Sequence, residues 1–269
     1  MSVDTLARFE KVAAPLGFNT NALIPCYGMA ETTLYVAGKS RDRKYHTDLS
    51  PEPSGTPRPV VSCGEVDTEH VVRIVDPTTL EPVGDGQIGE IWVSGPSVAA
   101  GYHNRNDQTR RVFHAKLVGE EGEYLRTGDL GFVRSGELFV TGRIKDLIIV
   151  NGRNIYPQDV EANVGRADPA FRIAAAFSIP DKNSEQLYVV AEVGHRQVSA
   201  QLHSQMVEAI RASVTSEFGI RPHVHIGPKH TVPTTTSGKV RRQETRRMFL
   251  AGELRSVQID PTAVEECAA

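Results

Sequence analysis

The sequence predicts an α/β plus α+β chain in two parts: a stretch with a small antiparallel, barrel-like β subdomain, then a compact α+β domain. Three observations carry this. The 269 residues make about two domains at roughly 150 residues each. Short strand-like runs with turn residues between them occupy positions 71 to 141. Helix and strand patterns alternate after residue 147.

Val3, Leu6, Ala7, Val12, Ala13 and Leu16 recur at helical spacing, which predicts one helix over 3–16 stopped by Gly17. Residues 38–70 are polar and punctuated by Pro51, Pro53, Gly55, Pro57 and Pro59, so a long insert-like segment without regular structure is expected there. Strands follow at Val71–Val75, Ile88–Ser94 and Glu137–Thr141. A domain boundary is expected at 142/143, giving segments 1–142 and 143–269. In the second segment Leu147–Val150 reads as a strand. Pro157 suits the first turn of a helix reaching Val164. Strands are expected at Arg172–Ile179, Leu187–Val193 and His223–Ile226. Between the last two, Ser199 caps a helix that runs to Phe218 and stops at Gly219, with Leu202, Met206, Ile210 and Val214 on one face. A basic helix over Val240–Leu250 closes the chain.

Composition excludes several classes. Hydrophobic residues make up 39% and charged residues 23%, which is ordinary for a globular protein and unlike a disordered or coiled-coil chain. A net charge of -3 gives no electrostatic footprint for nucleic acid. Cys26, Cys63 and Cys267 are too few and scattered for a disulfide framework or a zinc site, and Cys267 stands at the wrong place for prenylation. No apolar run approaches the roughly 18 residues of a membrane span, and the N-terminus carries no secretory pattern. A cytoplasmic protein with no transmembrane segment is the expectation.

Gly84-Asp-Gly86-Gln-Ile-Gly89 matches a dinucleotide fingerprint, but it precedes a strand and opens no helix, so turn glycines are expected. Pro233-Thr-Thr-Thr-Ser-Gly-Lys239 offers four hydroxyls, a glycine and one Lys before a helix. Pro233 and Val240 exclude a full phosphate loop; a solvated surface Lys and a functional one both fit. His223 and His225 lack a further ligand at metal spacing, so an ordinary strand face is the simpler account. Three segments gain meaning as a set: Tyr27-Gly-Met-Ala-Glu31, Tyr124-Leu-Arg-Thr-Gly-Asp129, and the basic stretch from Gly142 to Asn154. Each acid alone reads as a surface or capping residue. Together they supply a ring, an anion for a metal, an anion for ribose hydroxyls, and cations for phosphate.

With Gly89-Glu-Ile-Trp-Val-Ser-Gly95, Gly101-Tyr102, Leu125-Arg-Thr-Gly-Asp129, Gly142-Arg-Ile-Lys-Asp146, Asn151 through Glu161, and Ser237-Gly-Lys239, the chain resembles the adenylate-forming superfamily. It is most similar to the C-terminal half of fatty acyl-AMP ligases, the long-chain-fatty-acid–AMP ligases that load polyketide synthases. The resemblance implies that 1–142 is the distal part of a large AMP-binding domain and 143–269 a mobile C-terminal domain. It implies ATP-dependent activation of a fatty acid to an acyl-adenylate, with Mg²⁺, and transfer to an acyl carrier protein or polyketide synthase. It assigns Tyr27 to adenine stacking, Gly28 to the same loop, Glu31 to Mg²⁺, Asp129 to the ribose hydroxyls and Arg143 to ribose and phosphate. Lys145 becomes the hinge and Lys239 the catalytic cation. Ala30 stands where many relatives carry Thr, so that hydroxyl contact is absent, and Thr32 or Thr33 is not expected to replace it.

The resemblance also implies that the ATP-phosphate loop and acyl pocket belong ahead of Tyr27. The expectation is a chain inactive alone, with a complementing N-terminal adenylation chain as a possible partner, and with Leu6, Leu16 and Leu23 exposed. Two rivals stay open. One is an acyl-CoA synthetase fragment, for which the behaviour of residues 38–70 is diagnostic. The other is a non-catalytic module that docks an acidic carrier protein through Lys229, Arg241, Arg242, Arg246, Arg247 and Arg255, a set that equally fits a solvated helix face.

Overall fold

Apolar periodicity becomes structure directly at the N-terminus of the chain, in a computed structural model that describes residues 3–51, 57–181 and 184–260. Helix α1 covers Val3–Ala13 and tightens into a 3₁₀ turn over Ala14–Leu16, because Pro15 and the left-handed Gly17 (φ 72°) end it. Leu6 is buried, whereas Leu16 is 83% exposed; the expected exposure of Leu6 is therefore not found. Two compact units make up the chain, Met1–Lys145 and Asp146–Ala269.

The first unit is built on an antiparallel sheet. Its strands are β1 (Cys26–Tyr27), β2 (Ala37–Gly38), β3 (Thr47–Leu49), β4 (Pro59–Val66), β5 (Val71–Val75), β6 (Gly89–Ser94), β7 (Leu125–Arg134) and β8 (Glu137–Arg143). The order is β1-β2-β4-β8-β7-β6-β5, with β3 on β4, so the sheet ends at two edges and does not close into a barrel. Along β6 the side chains alternate: Ile91 and Val93 join Tyr27, Val36, Ala37, Ile74 and Leu138, while Trp92 packs with Val75, Leu117 and Tyr124 on the other face. Segment 38–70 contributes β3 and β4 to this sheet, which corrects the expectation of an irregular insert. Pro59 is tolerated because it opens its strand; Pro53 and Gly55 lie outside the described residues. Helix α2 (Asn106–Phe113) buries Phe113 alone. Gly84–Gly89 leads into β6, as its turn reading requires.

The second unit starts with a hairpin, β9 (Ile148–Val150) and β10 (Arg153–Ile155), joined by Asn151-Gly152 with both φ angles positive, the geometry that favours this dipeptide. Then come α3 (Pro157–Ala167), β11 (Phe171–Asp181), β12 (Ser184–Val193), β13 (Gln197–Ser199), α4 (Ala200–Phe218), β14 (His223–Pro228), α5 (Arg242–Leu250) and β15 (Gln258–Asp260). The three-stranded sheet β11-β12-β14 is covered on both faces. Ala174, Ala176, Leu187, Val189 and Ala191 meet Val160 and Val164 of α3 and Met206, Ile210 and Val214 of α4. Ala175, Phe177 and Val190 face Phe249 of α5. Ser199 accepts from the Leu202 amide at 3.1 Å and Gly219 ends α4 at φ 71°, as its cap and stop residues dictate. Among the described residues no helix is long and apolar enough to cross a membrane. Cys26 and Cys63 are free thiols, and Cys267 lies outside the described residues.

Candidate functional site

A two-residue turn makes the centre of the first unit. Ser135 and Gly136, both at positive φ, join β7 to β8 in the tight hairpin geometry such residues allow. A register shift between Leu130 and Gly131, with one extra residue on β8, then sets Asp129 opposite Arg143. Arg143 Nε meets Asp129 Oδ1 at 2.8 Å, and the Tyr27 hydroxyl donates to Oδ2 at 2.9 Å. Burial pushes the Asp129 carboxyl above its ordinary value, countered in part by Arg143 and Tyr27. Burial and then the Asp129 charge push the Tyr27 hydroxyl up as well. The Asp129 amide donates to Thr127 Oγ1 at 3.1 Å, and Thr127 donates to the Ile91 carbonyl at 2.7 Å. Buried Glu90 takes Arg126 on Oε2 and the Gly128 amide on Oε1. The turn before Asp129 is thus fixed by the Glu90 side chain and the Ile91 carbonyl of β6.

The second acid sits on a 3₁₀ turn. Thr32 is fully buried; it accepts from the Met29 amide at 3.3 Å and donates to the Met29 carbonyl at 3.0 Å, closing a loop around Glu31. Thr33 donates to the Ser97 carbonyl at 2.9 Å. Thr32 uses its hydroxyl both ways on the Met29 backbone, while Thr33 spends its proton on Ser97 and keeps its acceptor lone pairs. Gly28 has a steric reason to be glycine: a Cβ there would lie 1.5 Å from the Leu34 carbonyl oxygen. The Tyr102 hydroxyl donates to Glu31 Oε1 at 2.7 Å. Burial and this carboxylate push the Tyr102 hydroxyl up to about 12. Tyr102 is held edge-on by Phe113 of α2, ring centroids 5.0 Å apart.

Tyr27, Gly28, Glu31, Asp129 and Arg143 therefore come together within one unit. Tyr27 is 8% exposed, so its ring is largely a core residue whose hydroxyl orients Asp129. Each carboxylate oxygen of Asp129 has one partner and lone-pair capacity for another, and the Arg143 fork has five donors of which this contact takes one. An acceptor pair beside a half-exposed cation suits vicinal hydroxyls next to a phosphate. Glu31 keeps Oε2 without a partner among the described residues. Among the described residues, no group of three or more His, Cys, Asp or Glu side chains converges there. A divalent cation would hence have one carboxylate here, which fits Mg²⁺ shared with substrate phosphates and water.

The second unit holds Lys239. Thr234 bridges Val240, the Thr235 amide donates to the Lys239 carbonyl at 2.8 Å, and the Lys239 amide donates to Thr235 Oγ1 at 3.0 Å. Gly238 turns the loop at φ 80°. Its two ends are anchored on buried acids. Glu192 takes the Val232 amide at 2.7 Å. Glu161 takes Arg242 with both oxygens, each at 2.7 Å. Lys239 itself is exposed and its Nζ has no partner among the described residues. Lys145 is the last residue of the first unit.

Sequence reasoning missed Glu90, Arg126, Thr127 and Tyr102 as site-building residues, although all four lie inside the quoted motifs. Arg246 donates to the Ser178 carbonyl, Arg247 pairs with Glu244 and Glu253, and Arg255 donates to the carbonyls of Lys229 and His230. Arg242 and Arg247 have acid partners, whereas Arg246 and Arg255 donate to neutral carbonyls and keep their positive charge.

The family model described as "AMP-binding enzyme" matches residues 1–103 of this chain. The chain is 40% identical, over 93% of its length, to the medium-chain-fatty-acid–[acyl-carrier-protein] ligase JamA of Moorena producens, of which it spans 46%. It is 38% identical, over 89% of its length, to the long-chain-fatty-acid–AMP ligase FadD26 of Mycobacterium marinum, spanning 44% of that protein. A solved structure from work on fatty acyl-adenylate ligases of E. coli and L. pneumophila superposes with a TM-score of 0.80 at 29% identity, covering 94% of this chain and 46% of that one. The chain thus spans about half the length of the relatives it matches.

Proposed function

We propose that this chain supplies the ribose- and phosphate-facing part of the nucleotide site and the catalytic lysine of a fatty acyl-AMP ligase. The fatty acid carboxylate attacks the α-phosphorus of ATP, pyrophosphate leaves, and an acyl-adenylate forms. A phosphopantetheine thiol of an acyl carrier protein then attacks the acyl carbonyl and AMP departs. The name of the JamA relative favours a carrier protein over free CoA as acceptor.

In this reading Asp129 accepts the ribose hydroxyls on its remaining lone pairs, and Arg143 holds ribose and phosphate. Tyr27 borders the base and fixes Asp129; Gly28 lets the Glu31 loop close. Glu31 and the nucleotide phosphates hold Mg²⁺, which neutralises phosphate charge when bound. Lys239 stabilises the charge that develops between carboxylate and α-phosphate, and Lys145 is the pivot of the second unit. The observation that carries the reading is buried Asp129 held between buried Tyr27 and half-exposed Arg143, in the same unit as Glu31. Acceptors beside a cation suit the ribose and phosphate of an adenylate, which supports the reading.

The test is nucleotide binding and adenylate trapping. AMP titrated into the chain is expected to bind, and Asp129→Asn to weaken it by about tenfold or more, the worth of hydrogen bonds to a charged group. Protein carrying the chain at full natural length is expected to convert a fatty acid, ATP and hydroxylamine to the hydroxamate. Equal AMP affinity in wild type and Asp129→Asn, or no fatty-acid-dependent hydroxamate, would overturn the reading.

A further inference from the structure

His70 lies outside every motif that led to the site, yet it is one of the most enclosed polar side chains near it. It ends a turn in which its amide donates to the Asp67 carbonyl at 3.0 Å. Its side chain is 5% exposed. A Cβ on Gly95 would come within 2.6 Å of His70 Cδ2, so this glycine makes room for the ring. Nε2 lies 2.7 Å from Ser97 Oγ, and Ser97 Oγ lies 2.8 Å from the Thr32 carbonyl oxygen, to which it donates. A serine hydroxyl has one proton. Given to Thr32, it leaves Oγ as acceptor, and Nε2 must carry the hydrogen. The same direction excludes a nucleophilic triad from Asp67, His70 and Ser97, because the serine proton points away from the imidazole.

The chain of bonds ends on the turn that bears Glu31. Ser97 holds the Thr32 carbonyl, Thr33 Oγ1 holds the Ser97 carbonyl, and the Ala99 amide donates to the Glu31 carbonyl at 2.8 Å. The Glu31 side chain is met by Tyr102 from the same loop. We propose that His70 is a positioning residue: through Ser97 it holds loop 95–102 against the Glu31 turn and so aims the carboxylate. The link to a metal rests on the proposed function; the link to the turn does not.

The first measurement is amide hydrogen exchange at Ala99 on the whole chain. His70→Leu, which keeps bulk but no donor, and Ser97→Ala, which keeps the ring and removes the relay, are each expected to cut Ala99 protection about tenfold. Protection of the Leu130 and Gly131 amides on β7 should hold, which separates the effect from general unfolding. His70→Gln, whose amide N–H can reach Ser97, is expected to restore most of the loss. Unchanged Ala99 protection in both variants, or no recovery with Gln, overturns the proposal.

The second measurement is Mn²⁺ affinity in the presence of ATP. Outer-shell partners of a ligand typically carry about tenfold or more in metal affinity, so His70→Leu is expected to lose that much and Glu31→Gln more. A loss in Glu31→Gln with none in His70→Leu overturns the aiming role. No loss in Glu31→Gln refutes Glu31 as a metal ligand, and the positioning of the turn is then decided by exchange alone.

Discussion

Two acid–arginine pairs, one in each unit and each built on a largely desolvated carboxylate, differ in what they leave over. Glu161 gives both oxygens to Arg242 and accepts the Ala176 amide as well, and Arg242 also faces Asp146 at 3.7 Å. Asp129 gives one oxygen to Arg143 and the other to Tyr27. Side-chain exposure makes the same division: Arg242 is 22% exposed and Arg143 50%. The carboxyl is pushed up by burial in both pairs, so burial alone does not mark a site. What marks it is unspent hydrogen-bonding capacity beside an accessible cation. The first pair is scaffold, tying α3 to the start of α5 just after Lys239. The second is the proposed receptor.

If that division holds, the largest effect belongs to the residue the scaffold carries. Lys239→Ala is expected to lower acyl-adenylate formation by about 100-fold or more, the usual worth of one group aimed at transition-state charge. AMP affinity of the chain should be unchanged, and so should thermal stability. Pre-steady-state adenylation and an AMP titration check the two halves. A large loss of AMP affinity would make Lys239 a ground-state binder and blur the comparison.

The split between scaffold and receptor was only partly legible beforehand. Elements whose signal is local were readable, such as α4 with Ser199 and Gly219 at its ends, or α3 with Pro157 in its first turn. Others were hidden by polar residues that face inward for a reason. Strand β7 contains Arg126-Thr-Gly-Asp129, which breaks apolar alternation because Glu90 on the neighbouring strand satisfies it. Strand β4 hid behind prolines. Helix α2 has a single buried side chain, Phe113, and so no periodicity to find. Asn151-Gly152 did announce the β9–β10 hairpin, and went unused. Motif order located Asp129, Arg143 and Glu31. Their partners Tyr27 and Tyr102 act through hydroxyls whose targets lie 102 and 71 residues away in sequence, a pairing only the fold creates.

A second way to break the comparison is to neutralise the scaffold acid. Glu161→Gln keeps shape and removes the charge that Arg242 depends on, leaving a mostly buried guanidinium short of its partner. A loss of about 2 to 3 kcal/mol in unfolding free energy is expected, the scale for a buried hydrogen bond to a charged group. AMP affinity should stay as in wild type. Denaturant unfolding read against nucleotide binding checks it. A stability loss of a few tenths of a kcal/mol would show that Arg242 is held by Asp146 instead.

The smallest effect is the most discriminating, because its sign is fixed by the same burial. The folded Asp129 carboxyl is held above its ordinary value, chiefly by desolvation. A group raised in the folded state contributes stability that is whole below the unfolded carboxylate value and is lost as pH climbs through the folded one. Asparagine cannot titrate. The stability of wild type relative to Asp129→Asn should therefore fall as pH rises from about 3 to about 7, the window of carboxylate titration. Glu161, also raised, titrates in both proteins and cancels in the difference. Paired urea unfolding at several pH values, without nucleotide, gives the slope. The opposite slope would mean that Arg143 and Tyr27 outweigh burial, so that the receptor pair is as satisfied as the scaffold pair and has little left to offer a ribose. The expected slope would mean that the empty site costs the protein stability near neutral pH, a cost that a ribose hydroxyl on each oxygen of Asp129 is placed to offset.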